Sequence, residues 1–211
     1  MSPTTVAVSG FSSEVGKTTL LCELLRALPG WEAIKMTRGH YRSCGRDPHA
    51  CCVSHLLGDA PVIRSGRAQT YALGKDTGRY WDAGAANVHW VIVTEEQVEK
   101  GIKLALDRVR AAGVLIEGNS FLKFIDVDFT IMVARAEGGK IKASARRALP
   151  KSSALYLFEV GEGKVTATER FASWREGSAD KELISALPVY THDTLPQLIS
   201  RISAIHSAFA A

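Results

Sequence analysis

The chain has 211 residues, of which 46% are hydrophobic and 23% are charged, and its formal net charge is +4 at pH 7. These proportions are typical of a globular protein and predict one domain over residues 1–211. No apolar run approaches the roughly 20 residues that span a membrane, and the first residues lack the pattern of a secretory signal. No basic motif with interleaved aromatic residues favours nucleic-acid binding. We therefore expect a cytoplasmic protein that binds neither membranes nor nucleic acids.

The hydrophobic pattern predicts strands and helices in alternation along the chain. The N-terminal half begins with a strand over 5–9, a helix over 17–28 and a short strand over 33–36. Residues 37–73 are harder to interpret, apart from a brief helix near 49–57. A strand over 88–93 precedes a helix over 95–112 that Gly113 is expected to close.

The C-terminal half is predicted to contain strands over 114–116, 129–133, 154–160 and 188–191, followed by a helix over 194–209. The polar segment 161–181 is interpreted as a surface excursion with a hairpin at 161–163. Near-continuous apolar strands that alternate with helices predict an α/β fold, with a mostly parallel sheet covered on both faces. In such a sheet the ligand lies at the carboxyl ends of the strands.

The segment from Val6 to Leu20 is typical of a phosphate-binding P-loop, with a strand, a glycine-containing loop and a helix that opens on Gly-Lys-Thr. The backbone N–H groups of such a loop point at a phosphate, and the helix N-terminus adds partial positive charge. The lysine reaches the terminal phosphates and the threonine hydroxyl holds Mg²⁺. The sequence therefore predicts a site for a nucleoside triphosphate made by Gly10, Glu14, Val15, Gly16, Lys17, Thr18 and Thr19.

The spacing within this loop is unusual. Five residues separate Gly10 from Gly16, one more than the common motif has, and Phe11 stands where the first glycine of that motif would fall. The strand before the loop and the helix after it supply the context that the motif requires. We interpret the extra residue as the mark of a variant subclass.

A second set of polar residues falls at the same predicted edge of the sheet. Glu117 ends a buried strand, where it is a candidate ligand of Mg²⁺, directly or through water, although a strand-terminal Glu can also be structural. Lys75 and Asp76 lie in a polar loop, where they either contact the metal or phosphates or belong to a solvated turn. Thr18 and Glu117 are thus the predicted magnesium ligands.

Four segments together are similar to the MobB family, accessory proteins of molybdopterin-guanine dinucleotide biosynthesis. The segments are Gly16-Lys17-Thr18-Thr19, Ile34-Lys35-Met36, Gly74-Lys75-Asp76-Thr77-Gly78-Arg79 with Ala83-Gly84-Ala85, and Ile116-Glu117-Gly118. The resemblance extends from residue 5 to about 135, with Met36 in place of the family's histidine. It implies a dimer-forming P-loop NTPase that binds GTP and Mg²⁺, hydrolyses GTP slowly and assists a partner enzyme of molybdenum cofactor maturation. It places Lys35, Asp76 and Arg79 near the γ-phosphate or the partner's substrate, with Lys17, Lys35 and Asp76 as the candidate catalytic groups.

The loop itself resembles that of dethiobiotin synthetases, which have the same gap and the pair seen here as Glu14-Val15. That resemblance implies an alternative, an ATP-dependent ligase in which Lys17 and Lys35 activate a carbamate or carboxylate. The sequence has no Asn-Lys-x-Asp motif, which would recognise a guanine base. The expected preference for GTP over ATP therefore rests on the MobB resemblance alone. A further alternative is a nucleotide-bound scaffold that recruits a partner enzyme without turnover.

Cysteine and histidine residues cluster in an insertion near residues 38–60. Thiolates and imidazoles suit Zn²⁺ or an iron–sulfur cluster, although the spacing Cys-x₆-Cys-Cys lacks the paired Cys-x₂-Cys of well-defined sites. Loop cysteines without metal and redox chemistry remain open alternatives, and a metal here would suggest a metallochaperone-type GTPase. Cys22, on an apolar helix, is expected to be a small core residue. The candidate ligands are Cys44, Cys51 and Cys52, with His40, His49 and His55 beside them.

The densest basic stretch lies in the second half of the chain. Two interpretations remain open for it, a solvated face or a flexible basic loop that meets an anionic ligand or a nucleotide phosphate. The stretch consists of Lys140, Lys142, Arg146, Arg147 and Lys151.

Overall fold

The computed structural model describes residues 2–39, 53–159 and 165–210. The strands are β1 Thr4–Gly10, β2 Glu32–Arg38, β3 Val62–Ser65, β4 Val88–Val93, β5 Gly113–Glu117, β6 Phe129–Arg135, β7 Ala154–Phe158 and β8 Val189–Tyr190. The α-helices are α1 Lys17–Ala27, α2 Arg67–Thr70, α3 Asp76–Asp82, α4 Val98–Leu106, α5 Ala143–Ala148, α6 Ala167–Glu176, α7 Lys181–Ser185 and α8 Leu195–Ala210. Short 3₁₀ helices cover Ser54–Leu56, Ser120–Lys123 and Leu149–Lys151.

The strands form one eight-stranded sheet in the order β3-β4-β2-β5-β1-β6-β7-β8. Every neighbouring pair is parallel except β3 and β4, which run antiparallel at one edge. The chain passes from β1 to one side of the sheet and returns after β5 to the other, so the order reverses around β1. A ligand site is expected at the carboxyl end of such a strand. The predicted α/β fold with a mostly parallel sheet is confirmed.

Two hydrophobic layers cover the two faces of the sheet. Side chains alternate between the faces along a strand, so Ala7 of β1 faces one layer while Val6 and Val8 face the other. Apolar residues of α4, α5, α6 and α7 lie in the first layer, and those of α1, α3 and α8 lie in the second. The central strands are buried on both sides, which explains their near-continuous apolar sequences.

The predicted helix over 95–112 is too long, and the prediction that Gly113 closes it is wrong. Helix α4 ends at Leu106, and Gly113 begins β5. A buried carboxylate accounts for the difference, because Glu32 Oε1 accepts hydrogen bonds of 2.9 Å from the backbone N–H groups of both Arg110 and Ala111. These bonds hold the chain in a turn rather than a further helical turn.

The interpretation of 161–181 as a polar surface excursion is also wrong for the part that is described. Helix α6 begins with a capping box, in which Thr166 Oγ1 accepts from the N–H of Glu169 and the Glu169 carboxylate accepts from the N–H of Thr166. Phe171, one turn later, is 2% exposed and packs in the core. The proposed hairpin at 161–163 lies outside the described residues. The strands and helices β3, α2, α3, α5, α6 and α7 were not predicted as such.

At the amino edge of the sheet, opposite the predicted ligand edge, a buried polar chain ties three strands together. His89 of β4 lies 2.7 Å from Glu32 Oε2 of β2 through Nε2 and 2.8 Å from Ser65 Oγ of β3 through Nδ1. His89 and Glu32 are 1% and 3% exposed, and buried polar groups of this kind require such partners. These hydrogen bonds hold the antiparallel edge strand β3 against the parallel part of the sheet.

None of the helices in the described ranges combines the length and the apolar character needed to cross a bilayer.

Candidate nucleotide site

The loop between β1 and α1 begins one residue later than its glycine spacing suggests. Phe11 continues the pairing of β1, since its N–H donates to the carbonyl of Val133 and its carbonyl accepts from the N–H of Lys142. Its ring is 1% exposed and lies 6.3 Å from the ring of Phe171 and 5.8 Å from that of Trp174. The turn itself therefore spans residues 12–16, and Phe11 anchors it to α6.

Two residues of the turn have left-handed backbone conformations. Gly16, which precedes α1, has φ +92°, and a Cβ placed on it would lie 2.2 Å from the ring of Phe158. Only glycine fits there, because the ring of Phe158 occupies the space of any side chain. Glu14 has φ +58°, uncommon for a residue with a side chain, and its carbonyl accepts a 2.7 Å hydrogen bond from Arg135 Nη2.

The backbone N–H groups of residues 13–18 make no hydrogen bond to any residue in the described part of the chain. The ammonium group of Lys17 folds back across the turn and donates a 2.8 Å hydrogen bond to the carbonyl of Ser12. The turn therefore offers unpaired donors and a cation at the N-terminus of an 11-residue helix, as an anion site requires.

Two carboxylates converge on the hydroxyl of Thr18. Thr18 Oγ1 lies 2.9 Å from Glu117 Oε2 and 3.1 Å from Asp76 Oδ1. Glu117 ends β5, the strand beside β1, while Asp76 begins α3, which packs on α1. The structure thus brings together three groups that are 58 and 99 residues apart in sequence.

Lys35 bridges the same two carboxylates from the other side. Its Nζ lies 2.5 Å from Glu117 Oε1 and 2.6 Å from Asp76 Oδ2. Each carboxylate therefore presents one oxygen to the Lys35 ammonium and the other to the Thr18 hydroxyl. The side chains of Lys35 and Glu117 are 17% and 4% exposed, so the pair is largely desolvated, whereas Asp76 is 41% exposed.

Helix α3 brings two further groups to the site. The fully buried hydroxyl of Tyr80 donates to Glu117 Oε2, and Tyr80 follows Asp76 by four residues, so both face the same side of the helix. Arg79 Nη2 donates to Thr19 Oγ1 at 3.2 Å. Tyr80 was not predicted, although its spacing from Asp76 is the signal that could have indicated it.

The charges of these groups follow from their surroundings. Burial lowers the pKa of Lys17 below its ordinary value. Burial also disfavours the charged forms of Lys35 and Asp76, but for Lys35 the attraction of Glu117 and then of Asp76 outweighs it, and for Asp76 the attraction of Lys35 does so. The pKa of Lys35 is therefore raised and that of Asp76 lowered. Burial and then the Glu117 carboxylate raise the pKa of Tyr80 well above its usual range, so Tyr80 is a neutral donor at pH 7.

Asn119, which sequence reasoning missed, braces the loop from β5. Its Oδ1 accepts from the N–H of Gly10 at 2.9 Å, and its Nδ2 donates to the carbonyl of Gly10 at 2.8 Å. Gly10 therefore serves as a fixed end of the loop, because its N–H is already paired. Its closeness to Val15 and Lys17, whose side-chain atoms lie 2.8 and 2.9 Å from a Cβ built on Gly10, explains the glycine at this position.

These residues surround a cleft of about 630 Å³ at the carboxyl edge of the sheet. Of the residues predicted for the nucleotide and magnesium site, Gly10 and Val15 do not line the cleft and the others do. Phe158, Asn119 and Ser120 line it as well and were not predicted. The predicted residues on its wall are Glu14, Gly16, Lys17, Thr18, Thr19, Lys35, Asp76, Arg79 and Glu117.

The predicted cysteine site falls outside the described residues, since Cys44, Cys51 and Cys52 lie within 40–52. Among the residues that are described, no group of three or more His, Cys, Asp or Glu side chains is placed to hold a metal ion. Cys22 is 3% exposed and belongs to the core layer that contains α1, as predicted.

No family model matches the chain, and no curated protein matches it. Among solved structures, LpxK from Aquifex aeolicus, crystallised in complex with ATP, is similar with a TM-score of 0.46 and 19% sequence identity. The match covers 78% of this chain and 53% of LpxK, so the chain spans about half the length of that protein. A likeness of this degree carries no argument about activity, and the resemblance to the MobB family stays a prediction.

Proposed function

We propose that the chain binds a nucleoside triphosphate together with Mg²⁺ and hydrolyses it slowly. The observation that carries the proposal is the row of unpaired N–H groups over residues 13–18, with the ammonium of Lys17 beside it. Unpaired donors at a helix N-terminus are stabilised by a bound phosphate. The ammonium of Lys17 exchanges the Ser12 carbonyl for phosphate oxygens.

The residues near Thr18 fit Mg²⁺. Mg²⁺ prefers hard oxygen ligands and is commonly held by one or two carboxylates together with the phosphates of its nucleotide. The Thr18 hydroxyl, Asp76 Oδ1 and Glu117 Oε2 supply such oxygens within 3.1 Å of the hydroxyl. When bound, the ion neutralises charge on the β- and γ-phosphates.

Each of the surrounding residues has a separate role in the proposed hydrolysis. Lys17 offsets negative charge at the terminal phosphates, and the free N–H groups orient them. Lys35 is a positioning residue, because it holds the Asp76 and Glu117 carboxylates together against their mutual repulsion. Tyr80 fixes the orientation of the Glu117 carboxylate from the buried side.

We infer the direction of the nucleotide from the position of the carboxylates. Asp76 and Glu117 lie on the β2 and β5 side of the loop, so we place the sugar and base toward the β6 and β7 side. There the ring of Phe158 packs on Gly16 and lines the cleft, and Arg135 reaches the loop at Glu14. Phe158 offers an apolar face to a base, although stacking on a phenyl ring does not distinguish guanine from adenine.

Isothermal titration calorimetry with GTP and with ATP, each with Mg²⁺, tests the proposal on wild type and Lys17→Ala. We expect wild type to bind at least one nucleotide, and the variant to bind it about a hundredfold more weakly, because a charge-assisted contact is lost in a buried site. Lys103→Ala is the matched control, since Lys103 is exposed and pairs with Glu99 on α4. Wild-type protein that binds neither nucleotide would refute the proposal.

The comparison of GTP with ATP also tests the finer part of the proposal. The resemblance to the MobB family suggests GTP and an accessory role in molybdenum cofactor maturation, whereas the synthetase-like loop suggests ATP. A preference for GTP of tenfold or more supports the first. ADP release that depends on an added carboxylated substrate supports the second.

A further inference from the structure

A narrow groove lies beside the main cleft. The groove lies between the 3₁₀ helix Ser120–Lys123 and α5, and Glu95 stands at its end. It shares Asn119, Ser120 and Ser144 with the wall of the main cleft, so the two spaces are adjacent.

The charge of the groove is positive. Lys123 and Arg147 line it, both are exposed, and within the described residues neither has an acidic partner. The single acidic residue of its wall, Glu95, is already paired with Arg38, which lines the main cleft. The hydroxyls of Ser120 and Ser144 add neutral hydrogen-bond donors. The ammonium of Lys123 lies over the ring of Phe124, 5.2 Å from its centroid, and has no acidic partner among the described residues. Two cations without an acidic partner, with hydroxyl donors beside them, match a compact dianion.

The size of the groove limits what enters it. Its volume is about 10 Å³, room for one water-sized group, whereas the main cleft has about 630 Å³. The groove therefore admits one oxygen of an end group, whose other oxygens lie at the rim beside Lys123 and Arg147, and the rest of the molecule extends into the main cleft. Lys123 and Arg147 are long exposed side chains at its rim and are able to close around an oxyanion.

We propose that this groove is the anion-binding end of a site for a second small molecule, one that carries a phosphate or two carboxylates and lies next to the bound nucleotide. The proposal rests on the proposed function, since it places this molecule beside a nucleotide in the same cleft. Under this proposal Arg147, which belongs to the basic stretch noted in the sequence, contacts an anionic ligand and not only solvent. Arg146, the next residue, has a different partner, because its Nε lies 2.9 Å from Asp180 Oδ2.

The test uses full-length protein saturated with Mg²⁺ and a non-hydrolysable triphosphate analogue, with saturation verified first by calorimetry. Inorganic phosphate and succinate are titrated separately, and binding is followed by the NMR shifts of the Ser120, Ser144 and Arg147 amides. We expect saturable binding of at least one probe, weakened about tenfold in Lys123→Ala and in Arg147→Ala. Arg146→Ala, the matched control on the same helix, leaves it unchanged.

The outcomes separate the two proposals. If the saturated wild type binds neither probe, or if Arg146→Ala weakens binding as much as Arg147→Ala, the groove proposal is overturned while nucleotide binding stands. If the analogue does not bind, the proposed function fails. The titration is then repeated on nucleotide-free Lys17→Ala protein, where dependence on Lys123 and Arg147 supports the groove and independence from them overturns it. Preference for phosphate or for succinate identifies the end group.

Discussion

Lys35→Met is the most informative single substitution, because it removes the ammonium between two carboxylates and keeps the length of the aliphatic stem. The ammonium lies 2.5 Å from Glu117 and 2.6 Å from Asp76. Removing one partner of a buried ion pair costs about 3–5 kcal/mol, because the remaining charge is left buried and unpaired. Glu117, 4% exposed, bears that cost, whereas Asp76, 41% exposed, is screened by water and adds little.

We therefore expect Lys35→Met to lower the free energy of unfolding by about 3 kcal/mol in metal-free buffer, near the lower end of that range. For a chain of this length the loss corresponds to a fall in Tm of roughly 6–12 °C. The assay is urea unfolding followed by circular dichroism, with Lys75→Met as the control. Lys75 is the exposed neighbour of Asp76 and precedes α3.

Adding Mg²⁺ shows whether Lys35→Met is destabilised by the loss of the ion pair or by a loss of packing. Millimolar Mg²⁺ is expected to restore more stability to Lys35→Met than to wild type, because the carboxylates of the variant lack their internal cation. The reasoning is refuted if Lys35→Met is no less stable than Lys75→Met in metal-free buffer. If the variant is destabilised and Mg²⁺ has the same effect on both proteins, the assignment of Asp76 and Glu117 as magnesium ligands is wrong.

Three further substitutions or conditions test other parts of the site. Tyr80→Phe removes the donor to Glu117 and should cost about 1–2 kcal/mol in urea unfolding, and an unchanged midpoint would contradict a structural role for that hydrogen bond. Gly16→Ala places a Cβ 2.2 Å from the Phe158 ring at φ +92°, so we expect at least tenfold weaker nucleotide binding and a lower Tm, and normal binding would show that the loop is not held as described. Because the pKa of Asp76 is lowered, its stabilisation is present above the ordinary value of 3.8 and is lost as the pH falls through the folded-state pKa. Acid titration of stability should therefore be steeper in wild type than in Lys35→Met, and parallel curves would argue against the ion pair.

The residues of the site that could be predicted are those whose signal lies within one short stretch of sequence. The loop with Lys17 and Thr18 has its own spacing, and Glu117 is marked as a polar residue at the end of a buried strand. Asp76 was predicted from its place in a polar loop and Lys35 from a resemblance, but their mutual contact was not predicted, because it depends on how α3 packs against α1. The contact of Asn119 with Gly10 has no local signal either, since the two residues are 109 positions apart.

Errors in the predicted fold have the same origin. The periodicity over 95–112 continues past the end of α4, and only the distant carboxylate of Glu32 explains why the helix stops. The segment with Phe171 and Trp174 looks polar because most of α6 is exposed. Its three-residue spacing of aromatic rings, on one side of a helix that opens with a capping box, was the available signal of burial.

The ring of Phe11 links the mobility of α6 to the occupancy of the loop. Because Phe11 immediately precedes the turn and its ring packs against both Phe171 and Trp174, opening of α6 removes the packing that anchors this end of the turn. Any ligand that holds the turn in one shape must then also raise the free energy of local opening of α6. Slower amide hydrogen exchange in α6 would therefore report that a ligand is bound at the loop.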